Sequence, residues 1–239
     1  ESGYCEIIDG ETRDVFLWAN APGDVLLYEY DRYDVYPRLP LRWNKGLFGG
    51  MQHPSGSPWI YWGRHPRKLE AKIKDGFKSY DQRGVSSIFL GKVENGIQLR
   101  NRTQHDWSSA IELFSMPVRM GDSLTWTYTQ DEYLEKVSQS KFGLCLPGYG
   151  PKCNREIELL GLGVVPLITD GVCTSYYEPL IEGKHFLRVR NPLHAKEVIS
   201  GCSKLRWEYI SHHGREWYDS NCSQQGSYEL TRRILDEIR

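Results

Sequence analysis

One segment limits the possible folds more than any other: the run from Phe142 to Ile168, FGLCLPGYGPKCNREIELLGLGVVPLI. Its apolar stretch Phe142–Leu146 reads as a strand that stops at Pro147-Gly148. A glycine- and proline-rich loop then opens a helix predicted over Asn154–Leu162 and closed by Gly163, and the β-branched run Val164–Ile168 follows as a buried strand. Two apolar strands joined through a helix make a crossover unit, which belongs to a parallel sheet. The alternation continues on both sides. Val85–Leu90 reads as a strand ending at Gly91. Apolar residues at 107, 110, 111 and 114 predict a helix over Trp107–Phe114. A short strand is predicted at Leu124–Tyr128, and a helix at Glu132–Val137 behind the capping signals Thr129 and Asp131. Two or three helices are expected between Pro192 and Arg239. The class is therefore α/β, with a Rossmann-like C-terminal domain over residues 85–239.

Residues 1–84 read differently, as a reduced N-terminal part. Val15–Ala19 and Val25–Tyr28 are candidate strands. From Tyr36-Pro37 to Pro66 the chain is rich in Gly and Pro and carries Trp43, Phe48, Trp59, Tyr61 and Trp62. Such a stretch suits long loops around a site. The chain has eight Trp and fifteen Tyr, and such rings commonly stack on sugars. Composition excludes several classes. With 30 Lys+Arg against 31 Asp+Glu the net charge is −1, so electrostatics argue for neither nucleic acid nor anionic membrane as the main partner. No apolar stretch is long enough to span a membrane. The cysteines at 5, 145, 153, 173, 202 and 222 form no Cys-x-x-Cys pair. They read as reduced thiols of a cytoplasmic protein. A start at Glu1-Ser2-Gly3, without methionine, suggests a module of a longer polypeptide.

The chemistry concentrates where the first helix of the crossover unit begins. Ligands of doubly wound sheets sit beyond the carboxyl ends of the strands. There, the amides of the loop Gly148-Tyr149-Gly150 and of Asn154 would meet a phosphate or diphosphate at the positive end of the helix dipole. Arg155 would add a charge with bidentate reach. Glu158, three residues on, could accept the hydroxyls of a ribose; the plainer account is a surface Arg155–Glu158 ion pair beside a connecting turn. Gly-x-Gly-x-x-Gly is missing, as is the Walker pattern, and a methyltransferase would want a Gly-x-Gly loop after its first strand, where none is present.

Arg155-x-x-Glu158 followed by Gly163-Val-Val-Pro166 resembles the donor-site signature of exostosin-like glycosyltransferases. Phe89-Leu-Gly91-Lys92 with Arg102 resembles their Phe-x-Gly…Arg motif. Tyr177-Glu178-Pro179 and Arg215-Glu216-Trp217-Tyr218 fit related viral and microbial members. The resemblance covers roughly residues 85–230 and extends, more loosely, to modules of the multidomain glycosyltransferases of chlorella viruses. It implies a compact GT-B-like fold, with a nucleotide-sugar-binding domain over 85–239 and an acceptor-side part over 1–84. A complete GT-B acceptor domain is longer than 84 residues, and the family motif names no catalytic base.

The implied activity is inverting, metal-independent transfer of a sugar from a UDP-sugar to a glycan hydroxyl. L-rhamnose is the first expectation for that sugar and xylose the second. No metal and no cofactor beyond the co-substrate are expected. Gly91, Lys92, Arg102, Gly148, Tyr149, Gly150, Asn154, Arg155, Glu158 and Glu178 are the candidate donor-binding residues. The general base is sought among Asp24, Asp31, Asp34 and His53, since transfer to a hydroxyl needs one proton acceptor in reach. The alternative is a non-catalytic carbohydrate-binding module, which the aromatic content supports equally and which has no use for a diphosphate site.

Overall fold

The computed structural model describes residues 65–94, 96–117, 119–120, 123–124, 128–148, 154–174 and 176–238. The strands expected at 15–19 and 25–28, and the aromatic loops after them, lie outside the described residues. In chain order the strands are β1 (Val85–Leu90), β2 (Leu113–Ser115), β3 (Arg119–Met120), β4 (Ser123–Leu124), β5 (Ser140–Cys145), β6 (Val165–Ile168) and β7 (Leu187–Arg188). The helices are α1 (Pro66–Lys74), α2 (Gly96–Thr103), α3 (Gln130–Ser138), α4 (Asn154–Gly161), α5 (Pro192–Gly201), α6 (Lys204–Asn221) and α7 (Gln224–Ile238).

Five strands form one parallel sheet in the order β2-β1-β5-β6-β7. Ile88–Leu90, Phe142–Cys145 and Val165–Ile168 are buried on both faces of the sheet, so these stretches are mostly apolar rather than alternating. Ile88, Leu90, Cys145 and Ile168 face Leu69 of α1, Leu134 of α3, Ile157 and Leu160 of α4, and Trp217 of α6. Phe89, Phe142, Leu144, Val165 and Leu167 face the opposite layer, built from Trp107, Ile111, Ala195, Trp207 and Ile210. This is a doubly wound α/β sheet.

Local signals explain the helix ends. Thr129 caps α3 reciprocally with Glu132: its hydroxyl accepts from the Glu132 amide, and the Glu132 carboxylate accepts from the Thr129 amide. α4 stops where Gly163 takes φ +65°, a left-handed conformation that side chains resist. Asn191 and Ser203 cap α5 and α6, accepting from the amides of His194 and Arg206.

One expectation needs correction. Trp107–Phe114 is not a helix: only Trp107–Ser109 turns, as a 3₁₀ turn, and Leu113–Ser115 pairs in parallel with Ile88–Leu90. Trp107 and Ile111 do share a buried side, but they supply it from a turn and the loop behind it. Of the strand expected at Leu124–Tyr128, Leu124 pairs within a short antiparallel ribbon of Ser123–Leu124 with Arg119–Met120, and residues 125–127 lie outside the described residues.

Arg83 ties the amino-terminal end of the sheet together. Its guanidinium donates to the carbonyls of Lys78 (3.0 Å), Ser138 (3.0 Å), Ser140 (2.8 Å) and Leu162 (2.9 Å). Two of these lie at the ends of α3 and α4, where helical carbonyls lack partners of their own. Burial, reinforced by the charge of Arg215, lowers its pKa to about 10. No helix among the described residues is long and apolar enough to cross a membrane.

Candidate functional site

Counted in chain order, the five sheet strands run 2-1-3-4-5. From β1 the chain moves outward to β2, then crosses back to place β5 on the other side of β1. The carboxyl ends of β1 and β5 therefore diverge at a topological switch point, where open α/β sheets bind ligands. β1 ends in Phe89-Leu90-Gly91; β5 leads through Leu146-Pro147-Gly148 towards α4.

Arg155, in the first turn of α4, bridges these ends. Its Nη2 donates to the Leu90 carbonyl at 2.6 Å, and its guanidinium lies over the Phe89 ring, 4.2 Å from the centroid. Arg102 of α2, only 5% exposed, approaches the same ring at 5.7 Å. Phe89 is itself stacked on Phe114, with centroids 5.2 Å apart and planes 22° from parallel. One buried phenyl ring thus holds two guanidinium groups at the mouth of β1, each favoured by the negative ring face. Gly91 makes this possible: a Cβ there would lie 2.5 Å from Phe89 ring carbons and 3.0 Å from Arg102 Nη1.

Glu158 is 3% exposed, which removes the surface ion-pair account. Its Oε2 accepts from the Tyr133 hydroxyl at 2.9 Å, and its Oε1 accepts from Gln130 Nε2 at 3.5 Å. Burial, together with the adjacent Glu158 charge, pushes the Tyr133 phenol well above its ordinary pKa, with Arg155 opposing. Arg155, Tyr133 and Glu158 therefore form one polar cluster between α3 and α4. Tyr133 is a member that sequence reasoning missed; its position on the buried stripe of α3 was the available signal.

Of the other candidates, Gly148 is buried and Asn154 half-buried at the start of α4. Lys92 follows Gly91 and pairs with Glu94 at 3.7 Å. Glu178 is held from the other direction. Its carboxylate accepts from Asn221 Nδ2 (3.2 Å) and pairs with Arg233, while its carbonyl accepts from Trp217 Nε1 (2.9 Å). The structure thus brings Gly91, Arg102 and Arg155 together around Phe89 with Glu158 behind them, and ties Glu178 to α6 and α7. Tyr149, Gly150, Asp24, Asp31, Asp34 and His53 lie outside the described residues.

Arg188 was also missed. It lies in β7, beside Ile168 in register, and donates from Nη1 to the Thr169 carbonyl at 3.0 Å, just past β6. Arg102, Arg155 and Arg188 place guanidinium groups along the carboxyl side of the sheet, a setting that favours a phosphorylated ligand over a neutral one. Cys145 is buried in the core below this edge, where it packs. Among the described residues, three metal-competent side chains converge only on α6, away from this edge. No protein-family model matches the chain, and no curated protein does.

Proposed function

We propose that the protein is a glycosyltransferase that binds a UDP-sugar at the switch point and transfers its sugar to a glycan hydroxyl with inversion. What carries the reading is the convergence of Arg155 and Arg102 on Phe89 at the carboxyl end of β1, beside the start of α4. The motif residues that resemble the exostosin-like donor signature are among those that meet there. In this reading the diphosphate lies against the first turn of α4, with Arg155 and Lys92 stabilising the charge that develops on the leaving group. Glu158, anchored by Tyr133, faces the nucleoside. The acceptor oxygen bonds to the anomeric carbon as the bond from that carbon to the β-phosphate oxygen breaks. The hydroxyl proton passes to one of Asp24, Asp31, Asp34 or His53. L-rhamnose is the first choice of sugar and xylose the second, and the reaction needs no metal.

Titration calorimetry with UDP in EDTA tests this directly. Binding should persist without divalent cations, and Arg155→Ala should weaken it by about 1.5–3 kcal/mol, the range for a hydrogen bond to a charged group. Loss of binding on chelation would overturn metal independence. Glycan binding without any UDP binding would replace the enzyme with a carbohydrate-binding module.

A further inference from the structure

We propose that His212, His213 and Glu216 on α6 form a binding site for a divalent transition-metal ion of the zinc class. The spacing brings the three side chains together: His212 and Glu216 are i,i+4 and His213 and Glu216 i,i+3, so one carboxylate lies between two imidazoles. His212 Nε2 is 3.2 Å from Glu216 Oε1, and His213 Nδ1 is 2.8 Å from Glu216 Oε2. All the candidate ligand atoms lie within 4.8 Å of one another. Around tetrahedral zinc, with bonds of about 2.0–2.1 Å, neighbouring ligand atoms are about 3.3 Å apart. Small side-chain rotations therefore convert two N–H···O contacts into three metal bonds, the ion taking the place of the shared protons.

The donor set selects the ion. Two imidazole nitrogens and one carboxylate suit zinc, nickel or cobalt, whereas calcium and magnesium require oxygen ligands. Three protein ligands leave a position for water. The turn is also held in place. The Ser211 hydroxyl donates to the Gly163 carbonyl at 2.7 Å, and the His213 ring meets Tyr209 edge-on at 4.4 Å between centroids. Lys184 is a nearby cation whose charge would act against a bound metal ion. Gly163 precedes β6, so this turn sits at the amino-terminal end of the sheet, opposite Arg155. The site is independent of the nucleotide reading, and an ion there would clip together one turn of α6.

The test uses the full chain, stripped with EDTA and dialysed, then titrated with ZnCl₂, NiCl₂ or MgCl₂. Zinc and nickel at about 1 mM should raise Tm by several degrees, since a ligand that binds only the folded state stabilises it. Magnesium should not. Equilibrium dialysis with nickel should give one ion per chain. His212→Ala and Glu216→Gln, both at exposed positions, should each lose at least about tenfold in nickel affinity, while His105→Ala should retain it. Wild-type protein that binds neither zinc nor nickel at that concentration would overturn the site. So would His212→Ala and Glu216→Gln variants that bind both ions as wild type does.

Discussion

His185 should make the protein lose stability as pH falls from 6.5 to 4. The side chain is 5% exposed, and its Nδ1 accepts a hydrogen bond from the Ile181 amide at 3.0 Å. An accepting Nδ1 means a neutral ring with its proton on Nε2, so protonation both charges a buried group and breaks that bond. Burial, with Lys184 and His213 adding to it, lowers the pKa from 6.5 to about 4. Between those values the unfolded chain binds the proton and the folded chain does not, so stability rises with pH. The contribution is complete above pH 6.5 and lost by pH 4. That fall in pKa corresponds to about 3 kcal/mol, and screening at the ring edge brings the expectation to about 2–3 kcal/mol. His185→Asn supplies an oxygen that can take the Ile181 bond and does not titrate. Urea unfolding of both proteins from pH 7 to pH 4 isolates the effect, because the carboxylates common to both cancel. Wild type should be the more stable at pH 7, and its advantage should shrink by about 2–3 kcal/mol at pH 4. An advantage constant to within about 0.5 kcal/mol would refute the assignment.

Arg83→Met should cost about 3–5 kcal/mol by leaving four carbonyls without their donor, lowering Tm by roughly 6–20 °C in a scanning calorimeter. Gly91→Ala should displace Phe89 and cost about 1–3 kcal/mol in urea unfolding, the usual range for an overpacked site. If the nucleotide reading holds, UDP affinity falls with it, since Arg155 rests on that ring. Tyr133→Phe removes the hydroxyl that donates to the buried Glu158 carboxylate and should destabilise by about 1–3 kcal/mol, measured in the same way.

The frame of the C-terminal domain is written locally. Phe142–Leu146 and Val164–Ile168 are apolar runs that a sheet buried on both sides requires, and Thr129 and Gly163 mark helix ends by their own chemistry. Where the structure departs from expectation, a local pattern pointed the wrong way. α2 carries no apolar buried stripe: Gln98 and Arg102 are the buried residues, while Ile97 and Leu99 are exposed. A polar inner face of that kind defeats periodicity. Trp107–Phe114 had helical spacing because a 3₁₀ turn and the following loop both feed the same core layer. Arg83 reads as an ordinary charged residue, since three of its four acceptors lie 55 to 79 positions away.

The candidate site shows the same division between residue types and their arrangement. Phe89-Leu-Gly91 and Arg155-x-x-Glu158 could each be picked out as motifs, but their meeting depends on a strand order that neither motif encodes. The chain had to leave β1 for β2 and return to the other side of β1 with β5. Only then does α4, 65 residues further on, deliver Arg155 to the Leu90 carbonyl. Phe89 looks like a core residue in sequence, and its 0% exposure agrees. Its place at the end of a strand, under two guanidinium groups, makes it the platform of the site. Glu158 looks like a surface carboxylate because Arg155 precedes it by one helical turn. The buried Tyr133 hydroxyl instead draws it inward, so this carboxylate is fixed by α3 rather than by its own helix. A ligand that enters here meets groups already held by backbone carbonyls and buried rings, and gives up less binding energy to ordering them.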